Sequence, residues 1–392
     1  MRVGFRLIGG DFWTGGLNYL ESLLSVIQVH LGGQLTPVLF AGPHADPASL
    51  KRLSPLLPEP VHIDRACDGG FRSRAGGALA TLLTGHDPAV SRLLKEARID
   101  VFFQHSTWLG YRFPLPTIAW IPDFQHLRRP DMFTPIERAK RSIGYELITR
   151  TCSHIMVSSR DAQGDCQRFY PRTIGRVSAV PFVPLMDSEP TESMLRETRN
   201  RHELPERFLF MPNQLWLHKN HLHVIQAMQL LAAAGNPPTI IACGNPKDYR
   251  RPDHPQQVIQ AIEASGLHRH FRFLGLVPRA DLACLLRLSS GLLNPSFFEG
   301  WSTTVEEAKA IGLPLILSDI PVHREQAAGH PVEFFDPDQP SRIAEALRIA
   351  WTRFMPDRSR ERLDQARERY ERSRHRFAQE FLQTAHAALD AP

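Results

Sequence analysis

Two glutamates with seven residues between them are the first candidates for chemistry. Glu299 and Glu307 stand in NPSFFEGWSTTVEEAKAIG, where a short polar run, 300–304, leads into a helical pattern. Glu299 can meet a polar ligand at the exposed amides of Ser302 to Val305, because free amides at a helix start favour an anion. Glu307, one turn inside the helix, can accept hydrogen bonds from vicinal hydroxyls such as those of a ribose. The pair predicts a site for one hydroxyl-rich ligand with phosphates between the two acids.

The same segment has a purely structural interpretation for one of the acids. Thr303 or Thr304 can cap the helix, and Glu306 or Glu307, three residues later, can complete a capping box. Glu299 precedes the cap, so a capping box does not explain it. We therefore expect a capped helix start with Glu299 available to a ligand.

A second polar segment follows an apolar run earlier in the chain. In FLFMPNQLWLHKNHLHVIQA a strand pattern ends at Met211 and a helical pattern follows. The loop between them holds Asn213, Gln214, His218, Lys219 and Asn220. A lysine at the start of a helix, beyond a strand end, suits a diphosphate, although a solvated lysine is the commoner arrangement. The amide and imidazole neighbours need hydrogen-bond partners, and this favours a site.

A glycine-containing segment near the N-terminus is a weaker signal. In GGDFWTGGLNYLESLL, Gly15 and Gly16 open a helical pattern after the first predicted strand. Glycines allow a ligand to approach the backbone closely, but a plain structural turn explains them equally well. The spacing is not the dinucleotide fingerprint G-x-G-x-x-G.

The elements that must position these residues form two repeats of one pattern. A chain of 392 residues is too long for one ordinary core, and apolar runs alternate with helical patterns in both halves, as in parallel sheets wrapped by helices. The predicted strands are 3–8, 37–40, 101–103, 117–120, 154–157 and 177–180, then 208–211, 239–242, 271–274, 291–294, 314–317 and 332–334. A polar, proline-punctuated segment places the boundary near residue 195.

Taken in order, these segments resemble the retaining GT-B fold glycosyltransferases known as glycosyl transferases group 1, of the bacterial polysaccharide and lipopolysaccharide type. Their signature P-S-x-x-E-G-F-G-x-x-x-x-E-A is matched by Pro295, Ser296, Glu299, Gly300, Glu307 and Ala308. The family's G-R-L-x-x-x-K is matched by the loop ending in Lys219, and its G-G by Gly15 and Gly16. Its FLG-V is matched by Phe273, Leu274, Gly275 and Val277. The resemblance covers most of the chain and is strongest between residues 205 and 338.

The resemblance implies an α/β protein of the GT-B class, with two doubly wound Rossmann-like domains facing a central cleft. Residues 1–195 would bind the acceptor, residues 196–372 the nucleotide sugar, and residues 373–392 would form a helix that crosses back to the first domain. The implied reaction moves a hexose-type sugar from a GDP-, UDP- or dTDP-sugar to a saccharide or lipid-linked acceptor, with retention, in bacterial surface polysaccharide synthesis. The alternatives are a nucleotide-sugar epimerase or hydrolase on the same plan, and a binding protein without turnover.

The resemblance also implies a role for each site residue. Glu299 would contact hydroxyls of the donor sugar, Glu307 would contact the ribose, and Lys219 would stabilise the leaving diphosphate. The implied donor-binding residues are Gly15, Gly16, Asn213, Gln214, His218, Lys219, Val277, Glu299, Ser302, Thr303, Thr304 and Glu307. Asp123 and His126, in IAWIPDFQHL, complete the predicted catalytic set at a strand end on the acceptor side. His105, in FFQHSTW, has a similar context, and its role stays open.

The sequence departs from the family at five positions, one of which is Pro122, where family members often have the histidine of a His-Asp pair. Trp301 and Ser302 replace the usual Phe-Gly, and Thr304 replaces a common proline. Gln214 stands where many members have a phosphate-binding arginine, which removes one positive charge from the implied diphosphate site. We expect Lys219 to carry more of that interaction, with helix amides, His218 or another base assisting.

Composition limits the partners. The formal net charge of +5 and the pI of about 9.1 fit anionic ligands or a membrane surface and do not by themselves indicate nucleic acid. The basic segment RRPDMFTPIERAKRS could touch a membrane that carries a lipid-linked acceptor, although a solvated helix face is the commoner explanation. The sequence leaves the oligomeric state open.

Compartment and cofactors are predicted from what the sequence contains. The five cysteines are scattered, which indicates reduced thiols. The sequence has no run of about 18 apolar residues, the length that a membrane-spanning helix needs. We therefore expect a cytoplasmic protein, peripheral at most to the inner face of a membrane. No metal motif stands at a matching strand end, and DPD at Asp336–Asp338 is predicted to be a turn. We expect no metal and no cofactor.

Overall fold

The computed structural model of the protein describes residues 1–9, 14–68, 81, 83–105, 107–235, 237–355 and 359–391. These residues form two parallel β-sheets flanked by helices, in two compact units. The first unit comprises Met1–Arg128, Pro135–Leu185 and Glu371–Pro392, and the second comprises Arg129–Thr134 and Met186–Tyr370. The predicted α/β class with two doubly wound sheets is confirmed.

The sheet of the first unit has seven strands in the order β3-β2-β1-β4-β5-β6-β7. The strands are β1 (Arg2–Arg6), β2 (Thr36–Ala41), β3 (His62–Ile63), β4 (Val101–His105), β5 (Thr117–Trp120), β6 (His154–Val157) and β7 (Val177–Ala179). The helices described in this unit are α1 (Thr14–His30), α2 (Pro47–Leu53), α3 (Pro88–Glu96), α4 (Gln125–Arg128), α5 (Pro135–Thr151) and α6 (Arg160–Phe169).

The sheet of the second unit has six strands in the order β10-β9-β8-β11-β12-β13. The strands are β8 (Leu209–Met211), β9 (Ile240–Ala242), β10 (Phe271–Phe273), β11 (Gly291–Asn294), β12 (Leu315–Ser318) and β13 (Val332–Phe335). The helices are α7 (Glu192–Arg201), α8 (His221–Ala233), α9 (His254–Ala264), α10 (Arg279–Leu288), α11 (Thr303–Ala310), α12 (Pro321–Gln326) and α13 (Pro340–Arg353).

A last helix, α14 (Arg360–Leu389), is 30 residues long, and its residues from Glu371 onward belong to the first unit. There Phe377 and Phe381 are completely buried. The Phe381 ring centroid lies 5.9 Å from those of both Phe5 and Phe103. Aromatic side chains of this size bury a large apolar area, so they fix the end of the chain on the sheet of the first unit.

The chain passes from the first unit to the second between Leu185 and Met186. The amide of Leu185 donates to the hydroxyl of Ser22 at 2.9 Å, within the first unit. The amide of Met186 donates to the hydroxyl of Tyr370 at 3.1 Å, within the second. Consecutive residues therefore make hydrogen bonds to different units.

All twelve predicted strands are present, with ends that differ by at most two residues. The central strands are recognisable because a strand covered on both faces is a continuous apolar run; Leu315–Ser318, for example, is buried throughout. The strand that the sequence did not predict is β3, which has only two residues at the edge of its sheet. Two residues carry too little pattern for a strand prediction.

Candidate functional site

The candidate site lies at the carboxyl end of the second sheet, where the strand order reverses. β8 pairs with β9 on one side and with β11 on the other, so successive connections leave it in opposite directions. Such a switch point leaves a crevice beyond the strand ends, where ligands of α/β proteins bind. The loops after β8 and β11 carry Lys219 and Glu299, so the fold brings the two predicted segments together.

The loop after β8 is tied to the loop after β11 by two hydrogen bonds and to the turn after β13 by a third. Leu217–Lys219 forms a 3₁₀ turn, and Asn220 follows it in the left-handed conformation, with φ of 59°. The Asn220 side-chain nitrogen donates to the carbonyl oxygens of Pro295, at 3.1 Å, and Pro337, at 2.9 Å. The amide of Phe297 donates to the carbonyl of His218 at 2.8 Å. These bonds hold Lys219 beside the β11 loop.

Glu299 and Lys219 form an ion pair, with Lys219 Nζ 2.6 Å from Glu299 Oε1. The same Oε1 accepts from the Ser296 hydroxyl at 2.7 Å and from Asn294 Nδ2 at 3.4 Å. Burial acts to raise the pKa of Glu299, but the Lys219 ammonium, with a smaller contribution from His323, holds that pKa below its ordinary value. Glu299 is therefore a carboxylate at neutral pH.

The second oxygen of Glu299 is available. All three donors reach Oε1, and among the described residues no group donates to Oε2. The Glu299 side chain is 9% exposed, so it is largely but not completely enclosed. An ionised carboxylate with one oxygen anchored and one unbonded is suited to accept hydrogen bonds from ligand hydroxyls.

Asn294, the last residue of β11, connects the loops by using both ends of its side-chain amide. Its Oδ1 accepts from Asn213 Nδ2 at 3.2 Å and from the Ser296 amide at 3.3 Å. Its Nδ2 donates to the Ser302 hydroxyl at 2.9 Å, besides the longer contact with Glu299. Asn294 is completely buried, so each of these bonds compensates for water that the amide lost on folding.

The predicted capping box is wrong. Helix α11 begins at Thr303 with Ser302 as its N-cap, and no side chain caps it. Glu306 instead accepts two bonds from Lys309 Nζ, at 2.8 and 3.0 Å. In the part of the chain that the structure describes, no group accepts a hydrogen bond from the amides of Thr303, Thr304 and Val305. The helix start therefore keeps three free donors and its positive end for an anion.

Glu307 differs from Glu299 in charge state. Burial raises the pKa of Glu307 to about 7, while the Arg279 guanidinium acts to lower it and the Asp187 carboxylate to raise it. Its Oε2 is inaccessible to solvent and has no hydrogen-bond partner among the described residues. Because Oε2 is enclosed by protein, only Oε1 of this half-buried side chain remains for hydroxyl groups of a ligand.

The remaining donor-side candidates are placed by the same loops. The Asn213–Gln214 backbone lies against Gly244, where a Cβ would stand 2.5 Å from the Asn213 carbonyl oxygen, so only glycine fits there. Val277 is half-buried and packs on the core of its unit. Burial lowers the pKa of His218 well below its ordinary value, so this residue is neutral and cannot replace the missing arginine charge.

The acceptor-side candidates lie in the first unit. Asp123 accepts the amide of Gln125 at 2.9 Å and so holds the start of α4. The sequence placed His126 at a ligand-facing position, and the structure corrects this, because the ring is 0% exposed and packs edge-on against Tyr145 at 5.1 Å. Burial lowers the pKa of His126 to about 4. The turn after the strand points this side chain into the core.

Two further predicted regions lie in the same unit. His105 packs edge-on against Trp120 at 5.4 Å, and burial lowers its pKa to about 4. Gly15 and Gly16 are in the first turn of α1, with Gly15 exposed and Gly16 buried. The loop residues 10–13 before them lie outside the described residues.

Three buried residues of the site were missed by the sequence as functional candidates: Asn220, Asn294 and Gln326. Gln326 bonds to Ser302, 24 residues away, and Asn220 bonds to Pro337, 117 residues away. No local pattern signals such contacts. The position of Asn294 at a predicted strand end was the one available signal for that residue.

Residues 196–369 match the family described as glycosyl transferases group 1. The matched residues carry all six strands of the second sheet. The resemblance to this family that the sequence predicted is confirmed over these residues. No curated protein matches the chain in sequence.

Solved GT-B structures share the fold over nearly the whole chain. HepE from Anabaena, in complex with UDP and glucose, is 16% identical, with a TM-score of 0.67, over 98% of this chain and 99% of that one. WaaG, a glycosyltransferase involved in lipopolysaccharide biosynthesis, is 15% identical, with a TM-score of 0.57, over 96% and 95%. UDP-GlcNAc 2-epimerase from Methanocaldococcus jannaschii is 12% identical, with a TM-score of 0.53, over 91% and 94%. These similarities establish the GT-B fold alone.

The described residues contain neither a grouped set of metal ligands nor a helix suited to span a membrane. Within the described ranges, no three His, Cys, Asp or Glu side chains are grouped so that they could hold a metal ion. None of the helices described has both the length and the apolar character needed to cross a membrane. The predicted DPD segment is a turn, in which Asp336 accepts the amide of Asp338 at 2.9 Å.

Proposed function

We propose that the protein is a retaining glycosyltransferase that moves a hexose-type sugar from a nucleoside diphosphate sugar to a saccharide or lipid-linked acceptor. One observation carries the proposal: the ionised Glu299, paired with Lys219, lies at the switch point with one oxygen unbonded. The free amides at the start of α11 lie in the same segment. Together these groups match the hydroxyls and the diphosphate of one ligand.

The donor is proposed to bind across the loops of the second unit. Glu299 Oε2 accepts hydrogen bonds from hydroxyls of the donor sugar, and Glu307 accepts them from the ribose. The diphosphate accepts hydrogen bonds from the amides of Thr303 and Thr304 and from the Lys219 ammonium. An ammonium has three donors, so Lys219 can keep its bond to Glu299 and still reach a phosphate oxygen.

The proposed reaction breaks the bond between the anomeric carbon and the diphosphate oxygen, and the electron pair leaves with the diphosphate. The acceptor hydroxyl oxygen forms the new bond on the same face of the sugar and loses its proton, for which Asp123 is our candidate base. Charge grows on the leaving diphosphate in the transition state. Lys219 and the α11 amides are hydrogen-bond donors that the fold already holds in position. In a site that excludes water, such preorganised donors strongly stabilise the charge of the transition state.

Two features support the finer assignment to surface polysaccharide synthesis at the inner face of a membrane. Among the proteins of similar fold, WaaG is involved in lipopolysaccharide biosynthesis, and HepE forms a complex with UDP and glucose. On α5, Ile136 and Ile143 are 68% and 62% exposed, in a segment that also carries Arg138, Lys140 and Arg141. Exposed apolar side chains among basic residues suit an anionic membrane surface, where a lipid-linked acceptor would be found.

The test is turnover of a panel of UDP-, GDP- and dTDP-sugars with saccharide and lipid-linked acceptors, each with and without EDTA. We expect transfer with retention of the anomeric configuration, as read by NMR of the product, and equal rates in EDTA. Loss of activity in EDTA would overturn metal independence. If the donor is epimerised or hydrolysed in the absence of any acceptor, the protein has the alternative activity instead of sugar transfer.

A further inference from the structure

Every polar group of Ser302, the residue before helix α11, is held by a buried side chain. Its amide donates to Gln326 Oε1 at 3.1 Å, and its carbonyl accepts from Gln326 Nε2 at 3.0 Å. Its hydroxyl accepts from Asn294 Nδ2 at 2.9 Å. All three residues are buried, so these bonds do not compete with solvent. Gln326 and Asn294 together fix the backbone and side chain of this residue.

The orientation of Gln326 is itself determined by its neighbours. Its Nε2 donates not only to Ser302 but also to Glu306 Oε1 at 3.0 Å, and Glu306 is held by Lys309. A carboxylate and a carbonyl can only accept, so the Gln326 nitrogen must face both of them, and its oxygen must face the Ser302 amide. The side chain can satisfy all of these partners in one orientation only.

This arrangement decides which amides a ligand can use. The sequence predicted that the amides of Ser302 to Val305 would be exposed, but Gln326 occupies that of Ser302. The first backbone amide that is free to bind a ligand is that of Thr303. The direction in which the free amides point depends on the conformation of Ser302, which Gln326 holds in place. Through the Ser302 hydroxyl, the same clamp reaches Asn294 and, by its longer bond, Glu299.

We infer that Gln326 is a positioning residue of the donor site, which aims the first-turn amides of α11 at the diphosphate of the nucleotide sugar. The inference rests on the proposed function. Gln326 touches no reacting atom in this scheme and acts through Ser302. Displacement of about 1 Å in groups that contact a substrate can cost on the order of 10²-fold in rate, so a clamp of this kind affects catalysis without contact.

The experiment is calorimetric titration with UDP, GDP and dTDP, followed by kinetics with the donor that proves active. We expect Gln326→Leu to weaken binding of the preferred nucleoside diphosphate about tenfold, the value of one charge-assisted hydrogen bond, with an unchanged number of sites per chain. If Gln326 has only a structural role, the variant should contain a smaller fraction of folded, binding-competent protein. Calorimetry would then show fewer sites per chain with normal affinity, and the Tm would be lower.

A second variant protects the test against misfolding. Gln326→Glu keeps an acceptor for the Ser302 amide but cannot donate to Ser302 or Glu306, and it places a second carboxylate beside Glu306. We expect weaker binding than in the wild type and partial recovery when Glu306→Gln is added, because the amide introduced by that second substitution can donate to the new carboxylate. Arg324→Gln, on the exposed face of the same helix, is the matched control and should bind as the wild type does.

The outcomes separate this inference from the proposed function. If the wild type binds a nucleoside diphosphate and both Gln326 variants bind it equally well, the clamp has no positioning role and the proposed function stands. If the wild type binds none of the three, both proposals are overturned. Weaker binding at full site number, with recovery in the double variant, supports the positioning role.

Discussion

The strand ends of the two sheets carry side chains of different character. In the second unit they hold an ion pair, Lys219 with Glu299, inside a network of amides and hydroxyls. In the first unit the end of β5 holds Trp120, stacked on Tyr19 at 3.7 Å and bonded through Nε1 to Ser158 at 3.2 Å. The histidine beside it, His105, is neutral. One end is built on charge and the other on aromatic packing.

This difference between the strand ends indicates that the second unit is the one suited to bind a charged ligand. A buried ion pair contributes little to stability, because desolvation offsets much of the attraction. Its presence at the second switch point is therefore better explained by a ligand than by folding. Aromatic packing at the first strand ends needs no such explanation, since it stabilises the core directly.

Replacement of Glu299 should produce the largest effect and is the sharpest test of this contrast. We expect Glu299→Gln to lower turnover about 10²–10³-fold, because the neutral amide no longer orients the sugar as a carboxylate does. Glutamine can still accept from Ser296, but the largely buried Lys219 loses its charged partner, so the thermal unfolding midpoint should fall, and turnover is measured where both proteins are folded. Glu345→Gln, an exposed carboxylate on α13, is the control. Near-normal turnover in Glu299→Gln would make the glutamate a loop residue.

Replacement of Lys219 should affect binding as well as turnover. With Gln214 and the neutral His218 as neighbours, Lys219 supplies the positive charge of the loop. We expect Lys219→Ala to weaken nucleoside diphosphate binding by roughly 1.5–3 kcal/mol, on the order of tenfold or more in Kd. Calorimetry in EDTA measures it, with Lys247→Ala, exposed in the next loop, as the control. Equal affinities would move the phosphate site elsewhere.

Glu307 gives a prediction of pH dependence in the ligand-free protein. The folded pKa of Glu307 is about 7, above its ordinary value of 4.5, so the folded state holds the proton longer than the unfolded state. The ionised form is the costly one, and its contribution should lower the free energy of unfolding as pH rises from about 4.5 to about 7.

We expect Glu307→Gln, which cannot ionise, to lack this component. The measurement is the difference in free energy of unfolding between wild type and variant at several pH values, because other titrations cancel in the difference. A difference that stays constant between pH 5 and 8 would show that Glu307 has an ordinary pKa.

The smallest effect is expected in the first unit. His126 is neutral and completely buried against Tyr145, so His126→Phe keeps its ring packing and should cost less than about 1.5 kcal/mol of stability. Turnover should stay close to that of the wild type, whereas Asp123→Asn should lower it. Kinetics of the two variants decide this. A collapse of kcat in His126→Phe at unchanged Tm would restore the catalytic role that the sequence predicted.

Sequence pattern predicted the elements better than it predicted the contacts. Strands such as 117–120 and 154–157 were placed to the residue, because buried parallel strands are apolar throughout. The start of α11 lies one or two residues before the predicted one, and its capping box is absent, since Glu306 bonds to Lys309 and Gln326 instead of the helix N-terminus. A capping box needs only local contacts, and here long-range partners outcompeted them.

By itself, then, the sequence determined the two doubly wound sheets, their strand ends and the residue types that stand there. These follow from periodicity and from motifs that occupy a few consecutive positions. Only the tertiary structure decided that Lys219 bonds to Glu299, that Gln326 takes the amide of Ser302, and that His126 faces the core. Such outcomes depend on which side chains meet across loops far apart in the chain. Burial and electrostatics then set the pKa values of Glu299 and Glu307 in opposite directions, although both are glutamates of one motif.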